Sequence, residues 1–314
     1  MSKSMSKSKK IGIDMGNRTI CISALVGEKI RQAYTYSVYS NDTALITGDV
    51  IESKGVKVAL GIGQATLTNV DKTNRELIEH QILWSVNKMF GSGQHYIEMC
   101  VGLPIEIYKA KKEEYKETLA SLGTITGKIN NAGISVNITN VKVMAEGHAS
   151  IKPLAEHINK DNTTLLIDVG MKTTDVLLIA HDGKKFTVEK YMTIPKALYD
   201  IYNVLREGIA QQGVAVSIED IDKKFKSGSP VFRTEKGEYN LEEHLKDAQH
   251  VCRDIMKAIE NNEFGKTILH DKIFTGGGSE KFLKAINANM KNNIDIPTEL
   301  RYYSNSLGYL LGIK

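Results

Sequence analysis

One seven-residue pattern occurs twice in this sequence. Residues 13–19 read Ile-Asp-Met-Gly-Asn-Arg-Thr, and residues 167–173 read Ile-Asp-Val-Gly-Met-Lys-Thr. Each copy ends one apolar run and leads into another. An apolar strand, a glycine turn and a second strand, repeated half a chain apart, mark a duplicated supersecondary unit. With 314 residues, and roughly 150 per domain, the chain has room for two domains, one per copy.

The turn chemistry suits phosphate. Gly16 and Gly170 are expected to take backbone angles closed to other residues and to let the chain approach an anion closely. Successive turn N–H groups can then form an anion-binding nest. Asp14 and Asp168, at the strand ends, cannot bind phosphate themselves, but each can hold Mg²⁺ through water. Two such hairpins facing each other would clamp a polyphosphate with its metal. A third glycine cluster, Thr275-Gly276-Gly277-Gly278-Ser279, follows an apolar strand and opens a helix. It would let a flat or phosphorylated ligand come close to a positive helix end.

Strands and helices alternate along the rest of the chain, so the fold class is α/β. A helix is expected from about Asn74 to Phe90, with Leu77, Ile78, Ile82, Val86 and Met89 on one face and Trp84 in the core. Residues 96–104 read as a buried strand, 106–122 as a charged helix, and 146–159 as another helix. Asp182-Gly183 signals a two-residue hairpin turn. A helix follows near 196–212, and 213–240 reads as loop. Leu241, Leu245, Ala248, Cys252, Ile255 and Ile259 step as one amphipathic helix. A short helix is expected after Ser304.

Composition excludes several classes. No apolar run is long enough for a membrane helix. Three cysteines, Cys21, Cys100 and Cys252, lack C-x-x-C spacing, which excludes a disulfide scaffold or zinc knuckle and fits a reducing cytoplasm. The net charge is +4, and Lys3, Lys7, Lys9 and Lys10 account for all of it. The body is therefore neutral, unlike a nucleic-acid-binding surface. The basic start reads as a solvated arm, and no apolar segment follows it as in a signal peptide.

In order, DMGNRT, AEGHAS, DVGMKTTD, FTGGGS and SNSLG resemble the nucleotide site of the actin/Hsp70/sugar-kinase superfamily. They are similar to its first phosphate loop, first connecting helix, second phosphate loop, adenosine loop and second connecting helix. Within that superfamily, VGLPIEIYKAKKEEYKETL resembles the actin-like plasmid-segregation ATPases of the ParM/StbA group. The resemblance implies two related domains around a nucleotide cleft, each with a smaller inserted subdomain. Domain I would be residues 1–160, with an insert at about 34–80 and the C-terminal helix 299–314. Domain II would be 161–298, with an insert at about 196–248.

The resemblance also implies roles. Asp14 and Asp168 would organise Mg²⁺ through water. Gly16, Asn17, Arg18, Gly170, Lys172, Thr173 and Thr174 would line the phosphates, and Asp175 would meet metal-bound water. Glu146, at the start of a connecting helix, would orient the attacking water. Gly276, Gly277, Gly278 and Ser279 would contact adenosine and the α-phosphate, while Asn305 and Gly308 would be connecting-helix residues. The implied activity is Mg²⁺-dependent hydrolysis of ATP, or GTP, by a protein cycling between ATP and ADP. The implied partners are copies of itself in a polar filament and a DNA-binding adaptor at a centromere-like plasmid site, with no direct nucleic-acid contact and no membrane. The alternatives are a monomeric or dimeric small-molecule kinase or phosphatase of the same superfamily, and a chaperone-like ATPase.

One departure stands out. Many relatives place a phosphate-contacting lysine seven residues after the first-loop Asp, and here that residue is Cys21. Lys172, then Arg18, are the candidate compensating cations; His148 is read as incidental.

Overall fold

The computed structural model describes residues 8–43, 48–61, 73, 76–286 and 290–313. Residues 1–7, with Lys3 and Lys7 of the expected arm, lie outside these, as does Asn74. The chain divides into unit 1, Met1–Ala155 with Tyr302–Lys314, and unit 2, Glu156–Arg301.

Unit 1 runs β1 (Lys9–Met15), β2 (Thr19–Val26), β3 (Lys29–Tyr36), β4 (Tyr39–Ser40), β5 (Asp49–Ser53), β6 (Val56–Leu60), α1 (Ile78–Phe90), β7 (Gly93–Leu103), α2 (Ile105–Ser121), β8 (Thr124–Ile129), β9 (Ala132–Ala145) and α3 (Ile151–Leu154). Unit 2 runs β10 (Thr164–Val169), β11 (Thr174–His181), β12 (Phe186–Ile194), α4 (Leu198–Gln211), α5 (Ile218–Lys226), β13 (Val231–Thr234), β14 (Gly237–Asn240), α6 (Leu241–His244), α7 (Gln249–Asn261), β15 (Asp271–Thr275) and α8 (Ser279–Ala285). The last helix, α9 (Thr298–Gly312), begins in unit 2 and ends in unit 1.

In unit 1 the strands form one sheet, in the order β3-β2-β1-β7-β9-β8-β5-β6-β4. Its centre, β1-β7-β9, is parallel. Parallel neighbours need crossovers, and these carry α1 and α2. Side chains alternate across a strand. Ile11, Ile13 and Met15 of β1 and Met99, Val101 and Leu103 of β7 therefore join the core with Trp84 and Leu119. Each such burial contributes about 1.5–3 kcal/mol. Trp84 is buried as expected, and its indole N–H donates to Asp49 Oδ2 at 2.8 Å. Gly12, Asp14, Cys100 and Gly102, the alternate residues, face the other way, and Gly12, Cys100 and Gly102 meet Tyr309 of α9.

In unit 2 the main sheet has the order β12-β11-β10-β15, with β10 and β15 parallel. Leu165, Ile167 and Val169 of β10 pack with Val176, Ile201, Ile255 and Phe282. Asp168 therefore lies on the opposite face of its strand.

Several expectations need correction. Residues 146–150 are turns, and α3 is only four residues long. Gly147 has φ +70°, outside helical space, and Pro153 lacks an N–H. Residues 213–240 hold α5 and the β13–β14 hairpin. α5 is started by Ser217, whose hydroxyl accepts from Asp220 N while Asp220 reaches back to Ser217 N. The 241–259 stripe is buried throughout, but α6, a 3₁₀ turn at Leu245–Ala248 and α7 carry it. Periodicity reports which side faces the core; a tighter turn can keep that facing without a continuous α-helix. The β11–β12 loop spans four residues, between the paired His181 and Phe186. Asp182 accepts from the N–H groups of Lys184 and Lys185, which holds its carboxyl below the usual range. α9 starts at Thr298, one residue before the C-terminal helix expected at 299–314 and ahead of the start expected after Ser304. Lys9 and Lys10 belong to β1 rather than to an arm, and Lys9 Nζ donates to His95 Nδ1 at 2.9 Å.

Candidate functional site

The two repeated hairpins have the same local build. Each is a strand, a glycine, a two-residue bend and a threonine leading into the second strand. The glycine is required by close approach, not by its φ, which is not positive at Gly16 or Gly170. A Cβ at Gly16 would lie 2.7 Å from the Thr19 carbonyl oxygen, and one at Gly170 would lie 2.9 Å from that of Thr173. The expectation of backbone angles closed to other residues is thus corrected. Gly170 N–H donates to Thr173 O at 3.0 Å, which closes the second turn. The carbonyls of Gly170 and Met171 accept from Leu198 and Tyr199 at the start of α4. Among the described residues, no backbone carbonyl accepts from Met171, Lys172 or Thr173 N–H. These three amides are the ones a bound anion can use.

The rows across the sheets differ. In unit 2, Asp168 stands opposite Asp175 on β11 and Thr275 on β15, and Asp175 opposite Thr193 on β12. Thr193 Oγ1 donates to Asp175 Oδ1 at 2.5 Å. Like charges directly opposite each other across a strand pair are unfavourable, and a cation relieves that. The Thr275 hydroxyl, opposite Asp168, is buried with no hydrogen-bond partner. Hard oxygen groups of this kind fit a hard divalent cation. Among the described residues no three acidic, His or Cys side chains gather as a metal cage. Magnesium does not need one, because it keeps waters and shares phosphate oxygens. In unit 1 the corresponding row is Asp14, Cys21 and Tyr34. Cys21 is buried.

The glycine cluster folds against the second hairpin. Gly276 has φ +88°, and a Cβ there would lie 2.2 Å from Asp168 Oδ1. Gly278 N–H donates to Val169 O at 2.9 Å. Ser279 is buried, and its hydroxyl donates to Gly276 O at 2.8 Å. Gly277 has open space around it. Unit 2 thus brings Asp168, Gly170, Asp175, Gly276 and Gly278 together. Thr174 is fully buried and donates to Lys196 O at 2.8 Å. Lys172 is exposed.

In unit 1, Asp14 and Glu146 lie at the C-terminal ends of the parallel strands β1 and β9, which flank β7, the edge where ligands bind in open α/β sheets. Glu146 N–H donates to Leu103 O at 2.9 Å, just after β9 ends. The expected helix start is therefore a strand-end turn. Asn305 Oδ1 accepts from Gly147 N at 2.9 Å and Ser150 Oγ at 2.8 Å. A Cβ at Gly308 would lie 2.0 Å from Ala149 O. These two residues seat the turn that carries Glu146. The Arg18 guanidinium lies 5.4 Å from the Tyr36 ring centre, a cation–π contact, and Asn17 is half-buried beside it. His148 is exposed. Sequence reasoning missed Gly12 and Gly102. Their signal is a glycine inside a buried strand, which marks close approach by another segment.

The profile described as the N-terminal domain of actin-like proteins matches residues 8–148, and that described as archaeal actin homologue MreB-like, C-terminal, matches residues 166–288. No curated protein matches by sequence. By structure the chain is similar to a non-polymerisable quadruple mutant of pCBH ParM, with a TM-score of 0.74, 19% identity and 98% of this chain and 99% of that one covered. It is similar to Ta0583, an archaeal actin homologue in complex with ADP, with a TM-score of 0.74, 19% identity and coverage of 97% and 98%. A 15-stranded ParM filament from Clostridium botulinum gives a TM-score of 0.74, 18% identity and coverage of 97% and 98%. At this identity the likeness speaks for the fold.

Proposed function

The chain belongs to the actin-like proteins and has their fold, and on that premise we propose that it binds and hydrolyses ATP and assembles with copies of itself. The observation that carries this reading is the repeated glycine turn, with an aspartate at each strand end. The second copy adds three amides with no backbone acceptor. Ta0583, of similar fold, is described in complex with ADP, and ParM as a filament.

In this reading each hairpin is a phosphate-binding element. The amides of Met171, Lys172 and Thr173 bind phosphate oxygens, and Lys172 supplies the cation that Cys21 does not. Asn17 and Arg18 act from the first hairpin, and the Gly276–Ser279 turn meets the nucleoside. Asp14 and Asp168 would hold magnesium through water, with Asp175 beside Asp168, and the metal would offset phosphate charge. Glu146 accepts a hydrogen bond from water and aligns it with the γ-phosphate. Fixed amides and charges then stabilise the charge that develops.

We further read the assembly as a polar, head-to-tail filament that segregates plasmid DNA through a DNA-binding adaptor. ATP is the preferred nucleotide, and GTP is the competitor to test. The reading places the protein in the cytoplasm. None of the three buried cysteines is in a disulfide, and burial pushes the thiols of Cys100 and Cys252 up to about 12, so they suit a reducing compartment. Among the described residues no helix is long and apolar enough to cross a membrane.

Sedimentation with ATP, with ADP and without nucleotide tests this. Pelleting triggered by ATP and reversed on hydrolysis is expected. Hydrolysis without assembly at any concentration would point instead to a small-molecule kinase or phosphatase.

A further inference from the structure

Tyr309 of α9 is fully buried and lies across two strands that each lack a side chain where it crosses. A Cβ at Gly12 of β1 would lie 3.0 Å from Tyr309 Cβ, besides meeting Ser306 O at 2.2 Å. A Cβ at Gly102 of β7 would lie 1.8 Å from the Tyr309 hydroxyl oxygen and 2.5 Å from its Cζ. β1 and β7 are adjacent, with Gly12 paired to Cys100. Gly12 and Gly102 therefore make a slot, with the base of the tyrosine over one and its hydroxyl over the other. Glycine inside a strand gives up packing and backbone entropy. Two of them under one side chain show how closely that side chain must lie.

The far end of the slot borders Glu146. The same Cβ position at Gly102 would be 3.0 Å from Glu146 Cγ. The phenol end and the stem of Glu146 thus stand side by side over Gly102. One helical turn earlier, Asn305 grips the backbone that follows Glu146 through Gly147 N and Ser150 Oγ. The same face of α9 therefore controls both the backbone and the side chain of this residue.

We propose that Tyr309 is a positioning residue for Glu146: its hydroxyl end, held in the Gly12–Gly102 slot, is the wall that fixes the carboxylate stem. This rests on the reading of Glu146 as the group that orients water. A carboxylate that must align water tolerates little displacement, because a misplacement of about 1 Å can cost on the order of a hundredfold in rate. Nucleotide binding does not use Tyr309, so affinity is not affected.

The test is steady-state ATP hydrolysis, ATP affinity and thermal unfolding for the wild type, Tyr309→Phe, Glu146→Gln and the double variant. Tyr309→Phe keeps the ring and removes the oxygen over Gly102. It is expected to lower kcat about tenfold, with KM and unfolding temperature near wild type. Glu146→Gln should be slower still, and the double variant no slower than Glu146→Gln, because both act through one group. Gly102→Ala pushes on the same hydroxyl from below and should also lower kcat, together with a fall in unfolding temperature from the overpacking. Wild-type kcat in Tyr309→Phe, or effects that multiply in the double variant, would overturn the positioning role while leaving Glu146 in place. Wild-type hydrolysis by Glu146→Gln would remove the role of Glu146, and the positioning role with it.

Discussion

The β1–β2 and β10–β11 hairpins share a turn and differ in the row beside it. In both, glycine lets the chain fold back onto the carbonyl of the threonine three residues on, where a Cβ would lie 2.7 Å from the oxygen in the first and 2.9 Å in the second. In both, an aspartate ends the first strand. Opposite Asp14 stands a buried thiol, Cys21, followed by Tyr34; opposite Asp168 stands a second carboxylate, Asp175, held by Thr193. The cations differ too, since Arg18 lies against Tyr36 whereas Lys172 is exposed. Turn geometry is fixed by backbone sterics and survives duplication. The neighbouring row is free to diverge. In the proposed reading, the second hairpin would carry two carboxylates towards the metal and the phosphate cation, and the first one carboxylate.

The largest expected effect breaks the second hairpin. Asp168→Asn should lower ATP hydrolysis by on the order of a hundredfold or more, since it removes charge where the reaction needs it. Steady-state kinetics across magnesium concentrations checks this, and a rate near wild type would end the assignment. Lys172→Ala should come next, with nucleotide binding or hydrolysis lost; near-normal kinetics would show that the cation has not moved to the second hairpin.

Two glycines in one loop sharpen the reading further. Gly276→Ala places a methyl against Asp168 at a positive φ, and thermal unfolding should show a loss of about 1–3 kcal/mol. Gly277→Ala meets nothing in the protein, so its stability should stay within about 0.5 kcal/mol. A fall in nucleotide affinity for Gly277→Ala alone would then report a ligand at that surface, and unchanged affinity would take the nucleoside away from it. The smallest effect is expected in the first hairpin. Cys21→Ala should cost about 1 kcal/mol through lost packing, with hydrolysis within about twofold of wild type, because Cys21 contacts no phosphate in this account.

The duplicated hairpin was legible in the sequence because its chemistry is local: Asp-x-Gly-x-Lys/Arg-Thr sets a turn whatever surrounds it. The strand–glycine–helix path at 271–285 was legible for the same reason. Residues 146–150 read as part of a helix from sequence, but Gly147, at φ +70°, and Pro153, without an N–H, break it. The pieces at 241–261 were joined because facing and continuity give the same periodic signal. Gly12, Gly102 and Tyr309 were not found, since nothing local says which distant helix lies over a strand glycine. Thr174 and Ser279 read as ligand contacts by pattern, yet both hydroxyls are engaged within the fold.

The most direct test of the account is calorimetric titration of Mg-ADP into the wild type, Asp14→Asn and Asp168→Asn. The account predicts saturable binding to the wild type and a loss in both variants, greater for Asp168→Asn. Absence of binding to the wild type, or wild-type affinity in both variants, would contradict it.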